Sequence, residues 1–174
     1  MDLSNVKMIV SDMDGTLLNP EEEVSPLFFE QFEKLKALKI HFVAASGRQY
    51  NSIAQKLYSI KNQITIVGEN GGVIKKENKT LLLQKFDPQK VIELIPVLRK
   101  IKNTFIILCG EHKAIVETKN QSCINMFQEY YSAHEIVQGI GKGAGVSSST
   151  PTIHGSLPFS KSPFERRFPD PTIK

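Results

Sequence analysis

The stretch "VKMIVSDMDGTLLNP", residues 6–20, decides how the rest of the chain is interpreted. Val6 to Val10 is β-branched and apolar enough to predict a buried strand that ends at Ser11–Asp12. Asp14 follows one residue later, and two like charges so close repel each other unless a cation or a shared proton relieves the repulsion. The pattern therefore predicts a strand end with a carboxylate pair that needs a positive partner.

Two further strand-and-helix units follow at short intervals. "IHFVAAS" (40–46) predicts a second strand, and "ITIVGENGG" (64–72) predicts a third that runs into a glycine turn. Ser25–Pro26 predicts a capped helix start before the second strand, and "RQYNSIAQKLYS" (48–59) predicts a helix after it. Connections this short indicate parallel strands joined by right-handed crossovers, so we predict an α/β fold.

The pattern changes near residue 78. "GGVIKKENKTLLLQKF" (71–86) predicts a hairpin with its turn near Asn78–Lys79, and Asp87–Pro88 predicts another helix start. "TFIILCG" (104–110) and "KAIVET" (113–118) predict paired strands, followed by a helix over 122–131. We therefore predict a core domain over residues 1–77 and, over residues 78–138, a second unit with the α+β character of a small inserted or appended domain.

The last segment, residues 139–174, lacks any helical or strand period. Of its 36 residues, 19 are Gly, Ser, Thr or Pro, a composition that cannot bury enough surface to offset the entropy of ordering it. We predict a disordered tail. Its five basic and two acidic residues carry +3 of the net charge of +4, so the rest of the chain is near neutral and no nucleic-acid surface is expected.

Composition narrows the class of protein further. The chain is 40% hydrophobic and 23% charged, as in globular proteins, and no apolar run approaches the roughly 20 residues that span a bilayer. The N-terminus has no secretory pattern. The short apolar runs predict no membrane association, and Cys109 and Cys123, without metal-type spacing, favour a reducing, cytoplasmic setting. His41, inside an apolar strand, is expected to be a core histidine rather than a ligand.

Functional groups gather at the carboxyl ends of parallel strands, and three polar groups are predicted there. They are Asp12 with Asp14, Ser46–Gly47–Arg48, and Glu69–Asn70–Gly71–Gly72. This inventory suits phosphoryl transfer, because one carboxylate can attack phosphorus while a second protonates the leaving oxygen. A Mg²⁺ ion would offset the repulsion between nucleophile and substrate. Glycines beside these groups would let an anion approach backbone N–H groups closely.

These segments resemble a known family. "DMDGTLL" (12–18) resembles the first motif of the haloacid dehalogenase-like phosphatases, "AASGR" (44–48) their second, and "ENGG" (69–72) a turn typical of the Cof-type branch. The resemblance implies a Rossmann-like parallel core with Asp12 as nucleophile and Asp14 as general acid and base. It also implies Mg²⁺ held by the Asp12 carboxylate and the Asp14 backbone carbonyl. The candidate phosphate-binding residues are Gly15, Ser46, Gly47, Arg48, Asn70 and Gly71.

The chain departs from the family after Gly139. No counterpart of the motif-three Lys or of the motif-four acidic pair follows, so the sequence resembles the first half of such an enzyme. We expect a phosphatase of small phosphorylated metabolites that is weak or inactive in this truncated form, and self-association through the open edge of the sheet. A non-catalytic phosphate- or metal-binding remnant and a truncated product without function are the alternatives.

Several single-residue interpretations stay open on the sequence alone. Ser46–Gly47 could be a turn or helix cap, and Asn70 could serve only to adopt a left-handed turn conformation. Arg48 could be a surface charge at a helix start. The substrate itself cannot be derived from the sequence.

Overall fold

The structure is a computed structural model that describes residues 5–102, 104–137, 139–140 and 152–154. Its first sheet has the spatial order β1–β2–β3–β4–β5. The three parallel strands at one side confirm the predicted α/β core, and an antiparallel hairpin completes the sheet. The strands are β1 (Met8–Asp12), β2 (His41–Ala45), β3 (Thr65–Gly68), β4 (Val73–Lys76) and β5 (Lys79–Leu83).

Two helices cover one face of this sheet. In α1 (Pro26–Ala37), the Ser25 hydroxyl caps the first turn by accepting a hydrogen bond from the Leu27 N–H at 3.3 Å, as the sequence predicts. Side chains of α1, α2 (Tyr50–Lys56), β2 and β3 form a single buried cluster. His41 is the first residue of β2, and its Nε2 shares a hydrogen bond of 2.8 Å with the Thr65 hydroxyl on β3.

A second unit has its own sheet, of order β8–β7–β6–β9. Its core contains Val91 and Ile95 from one helix and Leu108 and Ile115 from two strands. The Asp87 carboxylate caps that helix at the Gln89 N–H, as predicted. The elements are α3 (Pro88–Leu98), β6 (Ile107–Cys109), β7 (Ala114–Glu117), α4 (Gln121–Tyr130), β8 (His134–Val137) and β9 (Thr152–His154).

The predicted domain boundary at residues 77/78 lies within the hairpin that joins β4 and β5. Glu77 and Asn78 have φ values of 51° and 62° and form the tight turn between β4 and β5, so a boundary there cuts a hydrogen-bonded hairpin in two. Because β5 pairs with β4, the first sheet continues through Leu83. The change of pattern in the sequence accompanies the change from parallel to antiparallel pairing within this sheet.

Part of the predicted tail, residues 139–140 and 152–154, lies within the described residues. Residues 152–154 pair antiparallel with β6, and Ile140 is 2% exposed within the core of the second unit. Backbone pairing to an available sheet edge accounts for a strand that composition alone does not indicate. The remainder of the predicted tail, residues 141–151 and 155–174, lies outside the described residues.

One edge of the first sheet is formed by β1, which pairs only with β2 in the part of the chain that the structure describes. Met8 and Val10 on this strand are 56% and 61% exposed. Among the described residues no helix is long and apolar enough to cross a membrane. The functional groups lie at the opposite end of the strand from Met8, at the carboxyl end of β1.

Candidate functional site

Asp12 is the last residue of β1 and stands opposite Ala45, the last residue of β2. The chain then turns sharply: the buried Met13 donates its N–H to Asp12 Oδ1 at 2.7 Å, and its carbonyl accepts from the N–H of Leu18 at 2.8 Å. Gly15 has a φ of 72° in this turn, a conformation that side chains disfavour. Asp12 is therefore an exposed carboxylate on a fixed backbone, as a nucleophile requires.

Ser46 lies at the adjacent strand end. Its N–H donates to the Val67 carbonyl at 2.9 Å, and its carbonyl accepts from the Asn70 N–H at 3.2 Å. Its hydroxyl oxygen accepts from the Arg48 N–H at 3.1 Å, so the residue is also a turn cap, which the sequence left open. Accepting this bond leaves the hydroxyl hydrogen to donate to an anion.

Gly47 and Asn70 are in close contact across the two turns. A Cβ atom added at Gly47 would lie 2.9 Å from Asn70 Oδ1, so only glycine fits there without moving Asn70. Asn70 and Gly71 have φ values of 51° and 91°. From the sequence, a left-handed backbone conformation was the alternative to phosphate binding for Asn70. The structure shows that conformation, and it also places the Asn70 side chain next to Gly47.

Arg48, predicted as a phosphate-binding residue with a surface charge as the alternative, is buried and binds two carboxylates. Its Nε lies 3.0 Å from both carboxylate oxygens of Asp14, and one Nη atom lies 2.6 Å from Asp14 Oδ1 and 3.0 Å from Glu22 Oε1. The side chain is 3% exposed. Burial alone would lower the pKa of Arg48, but hydrogen bonds and charges from the two carboxylates raise it. The carboxylates of Asp14 and Glu22 thus both stabilise the charged Arg48 guanidinium, which remains bound to Asp14.

Glu22 and Lys56 belong to this network and were missed in the sequence. Lys56 Nζ donates to the Glu22 carbonyl at 2.7 Å and lies 3.4 Å from its carboxylate. Burial would raise the pKa of Glu22, but the hydrogen bond and charge of Arg48, with those of Lys56, lower it. The acidic run at residues 21–23 gives no signal of this role, because such runs usually face solvent.

The turns that follow β2 and β3 also contact the second unit. Gln49, next to Arg48, makes a pair of hydrogen bonds with the backbone of Ala133, at 3.1 Å to its carbonyl and 3.2 Å from its N–H.

Glu69, next to Asn70, is 3% exposed. Burial raises the pKa of Glu69 to about 7, although a hydrogen bond with Cys109 partly opposes the shift. Burial, with the Cys109 and Glu69 charges, also raises the pKa of Tyr131.

The donors at the end of β1 match the chemistry of Mg²⁺. The Asp12 carboxylate and the Asp14 backbone carbonyl are oxygen ligands, and this ion commonly keeps several waters beside one or two carboxylates. Arg48 occupies the Asp14 carboxylate, which agrees with a role for the Asp14 carbonyl, rather than its side chain, in metal binding. The described residues contain no cluster of three or more His, Cys, Asp or Glu side chains that could hold a metal by themselves.

Comparisons with known proteins agree with this arrangement. The family model described as haloacid dehalogenase-like hydrolase matches residues 9–141. A 5-amino-6-(5-phospho-D-ribitylamino)uracil phosphatase of Escherichia coli (strain K12) is 30% identical over 128 residues, 73% of this chain and 47% of its own length.

Solved structures show the same fold. The Streptococcus mutans UA159 protein SMU.1108c matches with a TM-score of 0.72 and 27% identity, over 78% of this chain and 52% of that one. A haloacid dehalogenase-like hydrolase from B. subtilis matches with a TM-score of 0.72 and 15% identity, over 84% and 59%.

The chain spans about half the length of the curated relatives that it matches. The family match runs from β1 through β8 and includes the carboxylate pair and both turns of the site. The family predicted from "DMDGTLL", "AASGR" and "ENGG" is confirmed, and the chain belongs to the haloacid dehalogenase-like hydrolases.

Proposed function

We propose that this chain is a Mg²⁺-dependent phosphatase-type hydrolase that acts on small phosphorylated metabolites through an aspartyl-phosphate. The observation that carries the proposal is the pairing of an exposed Asp12 at the end of β1 with a turn that fixes Asp14 against Arg48. A carboxylate that is free to attack, beside a second one that is held separately, suits a two-step transfer.

In the first step an Asp12 carboxylate oxygen attacks phosphorus while the bond from phosphorus to the leaving oxygen breaks. Asp14 donates a proton to that oxygen and then, as a base, accepts one from the water that hydrolyses the acyl phosphate. The Ser46 hydroxyl donates a hydrogen bond to a phosphoryl oxygen. Bound Mg²⁺ would supply positive charge that offsets the repulsion between Asp12 and the phosphate.

The substrate class follows from the relatives. The name of the Escherichia coli relative gives 5-amino-6-(5-phospho-D-ribitylamino)uracil as the first substrate to test. Because residues 139–174 contain no counterpart of the motif-three Lys or the motif-four acidic pair, we expect turnover by this chain to be weak. We include a cytoplasmic location in the proposal, since Cys109 and Cys123 are both buried free thiols.

The second candidate function is phosphate or metal binding without turnover. The finding that favours it is the lack, among the described residues, of further acidic groups to complete a metal site. Mg²⁺ prefers near-octahedral oxygen ligation, so two protein ligands predict a low metal affinity.

Phosphate release from a panel of phosphomonoesters, with Mg²⁺ and with EDTA, separates these functions. The proposal expects slow release that requires Mg²⁺ and disappears in Asp12→Asn, whereas Glu23→Gln, an exposed change of the same charge, keeps it. Phosphate binding by calorimetry without any release above the Asp12→Asn background would favour the binding function.

A further inference from the structure

Gln49 joins the turn that follows β2 to the second unit through both polar atoms of its side chain. Its Nε2 donates to the Ala133 carbonyl at 3.1 Å, and its Oε1 accepts from the Ala133 N–H at 3.2 Å. The residue is buried. An amide that both donates to and accepts from one backbone residue replaces the pairing that a neighbouring strand would supply. Ala133 immediately precedes β8, so Gln49 holds the beginning of that strand.

The position of Gln49 in the chain makes this contact unusual. Gln49 is the N-cap residue of α2, a place where Ser, Thr, Asp or Asn is preferred because the side chain can accept from the first turn. In the described part of the chain, the Gln49 side chain makes no such bond to α2. Its carbonyl accepts from the N–H of the buried Ile53 at 3.2 Å, so its backbone is fixed to the first core. A residue that departs from the local preference and binds another unit instead indicates a functional constraint.

The second unit contacts this region at two further places. Asn51 Nδ2 donates to the His112 carbonyl at 3.3 Å, in the connection between β6 and β7. On the turn that follows β3, the buried Glu69 shares a hydrogen bond with Cys109 at the end of β6. One end of the second sheet thus contacts both turns that carry the proposed phosphate-binding residues.

The two turns are also bonded to each other. The Asn70 N–H donates to the Ser46 carbonyl at 3.2 Å, and the Glu69 N–H donates to the Arg48 carbonyl at 3.0 Å. Both bonds join backbone atoms, so the two turns move together rather than independently. A displacement of the second unit at Gln49 is therefore transmitted to Ser46 and Asn70.

We propose that Gln49 is a positioning residue that couples docking of the second unit to phosphate binding at the strand ends. While Gln49 holds Ala133, the turn that bears the Ser46 hydroxyl is ordered before the anion arrives, so binding does not include the entropy loss of ordering it. The coupling is reciprocal, so bound phosphate must also strengthen the contact between Gln49 and Ala133. The inference rests on the proposed function for the place where phosphate binds, whereas the contact of Gln49 with Ala133 does not depend on turnover.

Exchange of the Ala133 N–H with solvent reports the contact directly, because Gln49 accepts that hydrogen. We would follow amide exchange by NMR on the full chain, in Mg²⁺, with and without saturating inorganic phosphate. Phosphate should slow exchange at Ala133 by about fivefold or more, within the range of typical couplings. Exchange of the Ile124 N–H, which is bound within α4, should not change. Exchange at Ala133 that bound phosphate does not alter, or that slows equally at both amides, would overturn the proposal.

The variant Gln49→Met tests the side chain itself, because methionine has a similar length but lacks the amide. Phosphate affinity by calorimetry should fall by about fivefold or more, the same factor by which phosphate slows exchange. Exchange at Ala133 should become faster and independent of phosphate. The control Gln55→Met, at an exposed position of α2, should keep both values.

Equal phosphate affinity in these two folded variants would contradict the coupling, and the measurement on the unmodified chain decides even if Gln49→Met does not fold. An unmodified chain that binds no phosphate would refute the proposed function and the coupling together. That failure is distinct from phosphate binding without any effect at Ala133, which would refute the coupling alone.

Discussion

Ser46 offers an anion a hydroxyl whose direction is set by its neighbours. Because the oxygen accepts from the Arg48 N–H, its own hydrogen is not used in that bond and is available to an anion. In the proposed reaction the three side chains at the strand ends divide the work. Asp12 attacks phosphorus, Asp14 transfers the proton, and Ser46 orients the phosphoryl group.

Replacing Ser46 tests its role directly. Ser46→Ala removes one hydrogen bond to a charged group, which costs about 1.5–3 kcal/mol, so phosphate affinity in Mg²⁺ should fall roughly ten- to hundredfold. Calorimetry measures the affinity, with Ser59→Ala on an exposed position as the control. An unchanged affinity would make Ser46 a turn cap only.

At the scale of elements, the turn that follows β3 is positioned by the close approach of the β3 and α2 backbones. A Cβ atom at Gly68, the last residue of β3, would lie 3.0 Å from the Tyr50 nitrogen at the start of α2. Gly68→Ala should therefore lower the free energy of unfolding by about 1–3 kcal/mol, because the strand and helix must separate. Gly139→Ala, where no atom lies within 4 Å of the added carbon, should be nearly neutral in the same denaturant titration.

Glu69 lies in the turn that joins the two units, and its raised pKa predicts that the stability of the protein depends on pH. The pKa of Glu69 is raised from its ordinary value of 4.5 to about 7 by burial, so the folded state holds a proton that the unfolded chain has lost. This stabilisation is complete below about pH 4.5 and is lost as the pH rises to about 7, by up to about 1.4 kcal/mol per pH unit.

Urea unfolding at several pH values measures this slope. Glu69→Gln should remove the contribution and flatten the profile between pH 4.5 and 7, whereas Glu77→Gln on the exposed hairpin turn should not. A slope that Glu69→Gln leaves intact would assign the effect to another group.

Local signals in the sequence were sufficient to predict where helices begin, but not which elements contact each other. Ser25 and Asp87 predicted their helices because a cap acts on residues two positions away. Glu22 and Arg48 are 26 residues apart, and Gln49 and Ala133 are 84 apart, so only the folded sheet brings them together. Strand β9 depends likewise on the edge of β6, which no pattern within residues 152–154 indicates.

At the scale of the whole molecule, we propose that the exposed edge at β1 promotes self-association. An unpaired edge with apolar side chains is a template for pairing with another chain, and a lysine on such an edge blocks it. Val10→Lys should shift sedimentation toward the monomer, whereas Leu38→Lys, similarly exposed but at the end of α1, should not. Identical sedimentation of both variants and the unmodified chain would exclude this edge as the contact.

The central claim is that Asp12 is the nucleophile of a haloacid dehalogenase-like phosphatase. Its most direct test is to incubate the chain with Mg²⁺ and a phosphomonoester, quench in acid, and locate phosphate by mass spectrometry of the peptides. We predict phosphate on Asp12, retained with a good leaving group in Asp14→Asn and lost in Asp12→Asn, because only the latter removes the attacking oxygen. Labelling that persists in Asp12→Asn would contradict the assignment.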